Sequence, residues 1–341
     1  MAFASGELGV VAFNHESASG ISWAAIQRTA NGGRTWQTVF VTDHLFIHQL
    51  AWTSKHTTVA ATTSGLLVSR NLGISWTLSP GPPVCSVQAP SPDTAYAVTS
   101  TGLHRISEPS MRLTRIETPL PASDVHFVNE TLGWLAGPSG IAVTSNGGRT
   151  WKVQLRFKHA VYRHWKASLA TLGGGHLVAI YADGTLMGNP AVEIYGSVDG
   201  GARWTLEEGG GYVPVPTGQV PAGGVEQTGA TDGQVVTVAR GRTLVIGTVR
   251  DPTPSTQASA PGLCETNDVG RRWMYRRLPF LEWQNATFDA GYDGEISAVR
   301  SHWWVAVVDG TQLVVASSTD QGANWQVLER TPLSQRPQLS Q

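Results

Sequence analysis

The sequence predicts an all-β protein, a seven-bladed β-propeller of four-stranded antiparallel blades. One turn motif recurs along the chain, short alternating strands separate its copies, and no helical periodicity is sustained. At 341 residues the chain is longer than a usual single domain. A propeller explains this length, because each blade adds its own layer of core.

The recurring motif is Ser/Thr-x-Asp/Asn-x-Gly-x-x-Trp. Its six copies span 29–36, 69–76, 144–151, 197–204, 266–273 and 318–325. Trp76 and Trp151 are 75 residues apart, close to two repeat lengths, and a degenerate copy fits between them in 101–113. We therefore count seven units. Gly/Pro-rich loop insertions, such as 209–224 and 251–262, account for the longer spacings.

Each unit is predicted to hold an inner strand A, strands B and C, the motif turn, and an outer strand D that begins at the Trp. In the turn, the Asp or Asn accepts hydrogen bonds from nearby N–H groups, and the Ser or Thr hydroxyl adds to them. The Gly takes positive φ, and the Trp wedges between sheets. The motif is thus predicted to be structural, on the outer lower rim away from the central opening.

The unit pattern begins at residue 1, so we expect residues 1–330 to form one propeller and 331–341 a tail. Blades 1 and 7 would then close the ring by simple apposition. The N-terminus lacks the basic start and apolar run of a signal peptide, and no apolar stretch approaches the roughly 20 residues of a membrane span. These features fit a cytosolic chain or a mature secreted domain with an added Met, and we expect a monomeric mature domain that is secreted or in the cell envelope.

Composition argues against several function classes. The 24 basic residues nearly balance the 25 acidic ones, so the basic excess of a nucleic-acid binder is absent. Cys85 and Cys264 lie in strand-like segments without a CxxC pattern, which predicts two buried thiols, no disulfide and no zinc site. There is no phosphate loop, dinucleotide fingerprint or nucleophile elbow, and we expect no cofactor.

The repeats resemble the Asp-box, or bacterial neuraminidase repeat, superfamily. The unit at 133–151 most resembles the photosystem II assembly and stability factor family, and the similarity spans nearly the whole chain. In photosynthetic members of that family the propeller is a binding scaffold for a partner protein. The resemblance therefore implies Asp-box turns and a non-catalytic binding or assembly-factor function.

Other relatives of these repeats fit the sequence less well. Sialidases carry an Arg-Ile-Pro segment and an arginine triad, whereas the nearest segments here are Arg105-Ile-Ser and Arg115-Ile-Glu. Xyloglucanases use two tandem propellers, and sortilin-type receptors add Cys-rich modules. A polysaccharide hydrolase or lyase stays as the alternative function, because the separation of paired carboxylates cannot be read from sequence.

The D–A and B–C connections of a propeller gather on one face, here called the upper face. Two stretches of this face combine basic and aromatic residues in a chain that is otherwise poor in charge. The candidate ligand-binding residues are Arg156, Lys158, His159, Arg163, His164, Trp165, Arg276, Arg277 and Trp283. Arginine forks pair with carboxylates and tryptophan offers a flat apolar surface, which favours an acidic protein or peptide, or an acidic glycan. A solvated loop with aromatics packed on the rim is the alternative.

Two further sets of residues could bind a metal. His44 and His48, together with Asp43, could hold a metal, but spacing fixes no third ligand beside the two histidines, and we interpret all three as ordinary surface and strand-start residues. Asp289 and Asp293 are interpreted as part of a tight turn. We therefore predict no metal site. His126, which alternates with Val125 and Phe127, is predicted to be a hydrogen-bonded core histidine.

Overall fold

The computed structural model describes residues 1–16, 22–92, 94–108, 110–157, 164–183, 192–208, 225–226, 236–238, 242–250, 258–271, 274–281, 284–285, 294–309 and 312–340. Every regular element in these ranges is a β-strand, so the all-β prediction is confirmed. The strands form seven antiparallel sheets, six with four strands and one with six.

The first four sheets follow each other along the chain. Sheet 1 contains β1 (Ala2–Phe3), β2 (Gly9–Glu16), β3 (Ser22–Thr29) and β4 (Gln37–Thr42). Sheet 2 contains β5 (Ile47–Trp52), β6 (Thr58–Thr62), β7 (Gly65–Ser69) and β8 (Thr77–Pro80). Sheet 3 contains β9 (Val84–Ser91), β10 (Thr94–Thr99), β11 (Gly102–Ser107) and β12 (Arg112–Arg115). Sheet 4 contains β13 (Asp124–Phe127), β14 (Gly133–Gly137), β15 (Gly140–Thr144) and β16 (Lys152–Arg156).

The remaining three sheets continue in chain order. Sheet 5 contains β17 (His164–Gly173), β18 (His176–Asp183), β19 (Val192–Ser197) and β20 (Thr205–Glu208). Sheet 6 contains β21 (Val225–Glu226), β22 (Val236–Val238), β23 (Arg242–Arg250), β24 (Ala258–Thr266), β25 (Met274–Arg277) and β26 (Gln284–Asn285). Sheet 7 contains β27 (Gly294–Val299), β28 (His302–Asp309), β29 (Gln312–Ser318) and β30 (Gln326–Pro332).

One strand of each sheet, called its inner strand, contacts the inner strands of its two neighbours. The contacts run from β1 to β5, β9, β13, β17, β22 and β27, and β27 contacts β1 again. The described sheets are therefore arranged around a common axis, and their inner strands lie nearest to it. This is the arrangement of a β-propeller.

Apolar side chains fill the space between adjacent sheets. Ile26 and Leu67, for example, pack in the core between sheets 1 and 2. The first sheet also packs against the last, where the rings of Phe3 and Trp304 stack with their centroids 3.8 Å apart. Full burial of a large apolar side chain is worth about 1.5–3 kcal/mol, so these layers are the main source of cohesion between sheets.

The motif turns join strands C and D and form the predicted hydrogen bonds. In sheet 4, the Thr144 hydroxyl donates to Asn146 Oδ1 (3.0 Å) and accepts from the Gly148 N–H (2.9 Å). Asn146 Oδ1 also accepts from the Thr150 N–H at 2.9 Å. Gly148 has a φ of 84°, a conformation that most other residues adopt only with strain. The predicted geometry of the motif is confirmed at this turn, and the corresponding glycines of the other five copies also have positive φ.

The motif Trp immediately precedes the outer strand and packs towards the preceding sheet. Trp151 lies against the core between sheets 3 and 4, and its indole N–H donates to the Gly148 carbonyl at 3.1 Å. Aromatic residues of strand B add a contact that the sequence did not predict. The indole of Trp134 donates to the Gly200 carbonyl (3.3 Å) in the motif turn of the next sheet.

The predicted tail crosses from the last sheet to the first. Strand β30 extends two residues past 330. Leu333 is then buried between sheets 7 and 1, and the Arg336 guanidinium pairs with Asp43 at 3.1 Å. The Ser340 N–H donates to the Thr38 carbonyl (3.0 Å) on outer strand β4. The tail therefore adds contacts across the boundary between the first and last sheets.

One predicted loop is partly wrong. Residues 258–262 were expected within a Gly/Pro-rich insertion, but they belong to β24, because pairing with β23 begins at Ser259 opposite Arg250. The insertion at 209–224 lies outside the described residues.

Replacing Trp151 with Ala should lower the free energy of unfolding by about 3 kcal/mol, because truncation of a large packed aromatic leaves a cavity. This value is at the low end of the usual range, since the side chain is only half-buried. Urea unfolding measures the effect. Trp151→Phe is the control, because it keeps a ring but loses the bond to Gly148. An alanine variant as stable as the wild type would show that the motif Trp is not a structural wedge.

Candidate functional site

A cavity of about 770 Å³ lies between the inner strands β5, β9, β13, β17 and β27. Its wall includes the link just before β13 and the turn just after β10. In a sheet of this kind, strand A begins and strand B ends at the same edge, which is the upper one. Because the cavity wall includes residues at these strand ends, the cavity lies towards the upper face. The volume falls within the range of about 300–1,000 Å³ that is usual for small-ligand sites.

Polar side chains near the axis hold the cavity wall together. The Asn14 amide donates to the Ile47 carbonyl (2.8 Å), and its oxygen accepts from the Ile47 N–H (2.8 Å). Gln88 forms the same pair of bonds with the backbone of Phe127, at 3.1 and 2.7 Å. Each amide therefore satisfies the backbone of the neighbouring sheet, where no strand ladder is available.

Asp124 has a similar structural function. Its Oδ2 accepts from the Leu169 N–H (2.9 Å) and its Oδ1 from the Ser86 hydroxyl (3.3 Å), so it links three sheets. Burial raises the pKa of Asp124 to about 6, although the bonds from Leu169, Val125 and Ser86 oppose that shift. The second carboxylate among the described cavity residues, Glu295, contacts the Met1 amino group. Asp124 is thus engaged by the protein itself.

His126 lines the cavity, and its prediction as a hydrogen-bonded core residue is wrong. On β13, Val125 and Phe127 enter the core between sheets 3 and 4, so the alternating position of His126 falls at the cavity wall. Burial lowers the pKa of His126 to about 4, which keeps the imidazole neutral at physiological pH. Within the described part of the chain, its ring has no hydrogen-bond partner.

The prediction of two buried thiols is wrong for Cys85. It is exposed, because it lies near the start of inner strand β9, where the wall opens to the cavity. The side chain of Cys264 lies outside the described residues.

Several predicted binding residues lie at the ends of outer strands. Arg156 is exposed at the end of β16, opposite Gly140. Arg276 and Arg277 end β25 in sheet 6. In sheet 4 this is the edge where strand C begins, which is also the edge towards which the cavity lies, whereas Arg277 lies opposite Gly262, four residues into β24.

The structure describes the other predicted binding residues only in part. His164 and Trp165 begin inner strand β17. Lys158, His159, Arg163 and Trp283 lie outside the described residues, as do the side chains of His164, Trp165, Arg276 and Arg277. The basic, aromatic patch therefore stays a prediction.

Sequence reasoning missed Arg115, which ends outer strand β12 of sheet 3. Its side chain is 61% exposed and its guanidinium lies 3.4 Å from the Glu117 carboxylate. Like Arg156, Arg115 is the last residue of its outer strand, but it lies opposite His104, two residues after the start of strand C, whereas Arg156 lies opposite the first residue, Gly140.

The residues that were considered as metal ligands have different surroundings. Asp43 pairs with Arg336, and His48 lines the cavity on β5. In the part of the chain that the structure describes, no three His, Cys, Asp or Glu side chains are grouped closely enough to hold a metal. Asp289 and Asp293 lie outside it.

Comparison with known proteins supports the fold. No protein-family model and no curated protein matches the chain. The BP39L lectin from Burkholderia pseudomallei has a TM-score of 0.55 at 14% identity, with 96% of this chain and 99% of that chain covered. YCF48 from Cyanidioschyzon merolae has a TM-score of 0.50 at 17% identity, covering 83% and 84%. A structure of YCF48 bound to D1 peptide has a TM-score of 0.49 at 14% identity, covering 82% and 81%.

At these identities the similarities show the fold alone. The sheet arrangement and the first two structures together define the chain as a β-propeller. Among the described residues, no helix has the length and apolarity needed to cross a bilayer.

His126 and Asp124 should contribute opposite pH dependences to stability. Between about pH 6.5 and 4 the unfolded chain binds a proton on His126 that the folded chain does not, so acidification lowers stability. Between about pH 6 and 4 the folded chain protonates Asp124 before the unfolded chain does, so acidification raises stability.

We therefore expect His126→Gln to lose less stability than the wild type between pH 7 and pH 5, and Asp124→Asn to lose more. Urea unfolding at the two pH values measures both slopes. An identical pH dependence in all three proteins would contradict this account of the cavity wall.

Proposed function

We propose that the chain is a non-catalytic binding or assembly-factor propeller whose upper face holds a protein or peptide with acidic groups. The observation that carries the proposal is the repeated arginine at the upper ends of outer strands, beside the edge towards which the cavity lies. Arg115, Arg156 and Arg277 hold this position in sheets 3, 4 and 6.

The proposal includes seven blades, formed by residues 1–330 and followed by the tail at 331–341. The seven described sheets and the cycle of contacts between inner strands support this count. The hydrogen bonds of the motif turns support the resemblance to the Asp-box superfamily. A monomeric state and a secreted or cell-envelope location complete the proposal.

The geometry favours an extended ligand. Adjacent strands lie about 4.8 Å apart, so an outer strand is roughly 14 Å from the inner strand of its sheet. A ligand that contacts both Arg156 and the cavity mouth must span that distance, as a peptide segment of a few residues does. Guanidinium groups bind carboxylates in a two-pronged geometry, which favours acidic side chains or a chain terminus. An acidic glycan also carries carboxylate groups, so it is included in the same binding test.

The alternative, a polysaccharide hydrolase or lyase, receives less support from the cavity. Glycoside hydrolysis usually needs two carboxyl groups that face the substrate, about 5–10 Å apart. Asp124 instead accepts hydrogen bonds from Ser86 and Leu169, and Glu295 contacts Met1. Among the described cavity residues, Asp124 is therefore committed to the structure and Glu295 lies against the amino terminus, which favours binding over catalysis.

Charge reversal at the rim tests the binding function. Arg156→Glu and Arg277→Glu should each weaken binding of an acidic peptide by about tenfold or more, because each removes a charge-assisted hydrogen bond and adds repulsion. The probe is an immobilised library of Asp/Glu-rich peptides and uronic-acid oligosaccharides, screened with the pure protein. Binding should also weaken between 50 and 500 mM salt, since exposed charges are screened over about 8–10 Å at ordinary ionic strength.

The matched control is Arg149→Glu, which changes an exposed arginine in the motif turn at the opposite edge of sheet 4. It should bind the selected ligand as the wild type does. Unaltered affinity in Arg156→Glu and Arg277→Glu, or an equal loss in Arg149→Glu, would show that these upper-edge arginines, here called the arginine-bearing face, do not bind the ligand.

The pure protein should release no sialic acid from a fluorogenic sialoside. The reason is the missing Arg-Ile-Pro segment and the lack of a recognisable arginine triad in the sequence. Fluorescence over several hours measures the reaction, with a bacterial sialidase as positive control. Steady product formation proportional to protein concentration would overturn this expectation.

A further inference from the structure

We propose that the cavity is a second binding site, separate from the arginine-bearing face, for an uncharged polyhydroxyl ligand such as a neutral mono- or disaccharide. Three polar side chains on sheets 4 and 5 carry the inference: Ser123, His126 and Ser168. All three line the cavity. Within the described part of the chain, none of these side chains has a hydrogen-bond partner.

The fold holds these residues in fixed positions. Ser123 directly precedes β13, His126 lies within it, and Ser168 lies on β17. The bond from the Leu169 N–H to Asp124 (2.9 Å) joins the two strands at this level. The three side chains are thus carried by a connected part of the wall and do not depend on a mobile loop, so little ordering is required when a ligand binds.

The chemistry of these groups matches a neutral ligand that has many hydroxyls. A neutral imidazole offers one donor and one acceptor, and each serine hydroxyl can serve as either. His126 stays neutral because burial lowers its pKa to about 4. Sugar hydroxyls also donate and accept, so they can satisfy all three groups without placing a charge in the cavity.

An anionic ligand fits the same wall poorly. A carboxylate only accepts hydrogen bonds, and here it would meet the carboxyl groups of Asp124 and Glu295, which also line the cavity. Carboxylates should therefore remain at the arginines of the rim. The two sites would then differ in ligand charge.

The remaining wall also suits a sugar. Half-buried aliphatic side chains, such as Ala122 and Val308, lie among the polar groups. A pyranose ring has C–H faces as well as hydroxyls, so it can contact both kinds of surface. The cavity of about 770 Å³ is large enough for such a ring.

A glycan array that carries neutral and acidic oligosaccharides is the first test, followed by calorimetry with the best neutral sugar. We expect binding of neutral glycans, about tenfold weaker in His126→Phe and several-fold weaker in Ser168→Ala. His126→Gln keeps a neutral donor and acceptor and should bind within about threefold of the wild type. Ser79→Ala, on outer strand β8, is the control and should not change affinity.

Cys85 provides a readout that needs no variant. Its exposed thiol lies in the same cavity, so a bound neutral sugar should slow its alkylation by iodoacetamide. The site is overturned if no neutral glycan binds, if only acidic glycans bind, or if the alkylation rate stays the same in the presence of a bound sugar. Equal affinity of His126→Phe and the wild type would also overturn it.

The outcome is independent of the proposed peptide-binding function. Arg156→Glu and Arg277→Glu should keep full affinity for the neutral sugar, and His126→Phe should keep full affinity for the acidic peptide. Failure of one site therefore leaves the other measurable.

Discussion

Near the axis, side-chain hydrogen bonds to backbone groups join adjacent sheets, and all of them except those of Asn14 on β2 run from one inner strand to the next. No backbone ladder connects separate sheets, so an inner strand near the axis would otherwise leave polar groups without partners, at a cost of about 1–3 kcal/mol each. The bonds run between Asn14 and Ile47, Gln49 and Val87, Gln88 and Phe127, Asp124 and Leu169, and Ser297 and Phe3. The cavity exists because these bonds hold its wall.

The inner and outer parts of each sheet are therefore stabilised differently. Near the axis, amide and carboxylate side chains bridge the sheets, and apolar layers fill the space between them. At the lower edge, motif turns brace the outer strands through hydroxyl and indole bonds, as at Thr144 and Trp151. At the upper edge, Ile47 and Asp124 at the starts of inner strands belong to the first network. The described ends of outer strands at this edge, such as Arg156, belong to neither network, which leaves them available for ligands.

Much of the fold could be predicted because the motif is local. Its bonds connect residues at most four positions apart, so their pattern is visible in the sequence and predicted the turn geometry. The cavity wall could not be predicted in the same way. Alternation on β13 separates His126 from Val125 and Phe127, but it does not indicate which of the two sets enters the core. Cys85 was misplaced for the same reason.

The candidate site was partly visible in sequence. Basic residues near the ends of predicted outer strands pointed to Arg156 and Arg277, while Arg115 was missed because its unit lacks a clear motif. The bonds of Gln88 and Asp124 to neighbouring sheets depend on how the sheets meet in space. Residues about 40 positions apart form these contacts, and no short sequence pattern specifies them.

A crystal structure of the protein most directly tests the central claim, that one ring of seven blades brings the arginines and the cavity to the same face. The account predicts seven sheets around one channel, with Arg115, Arg156 and Arg277 at the edge where the cavity opens. Six blades, or arginines on the face opposite the cavity mouth, would contradict it.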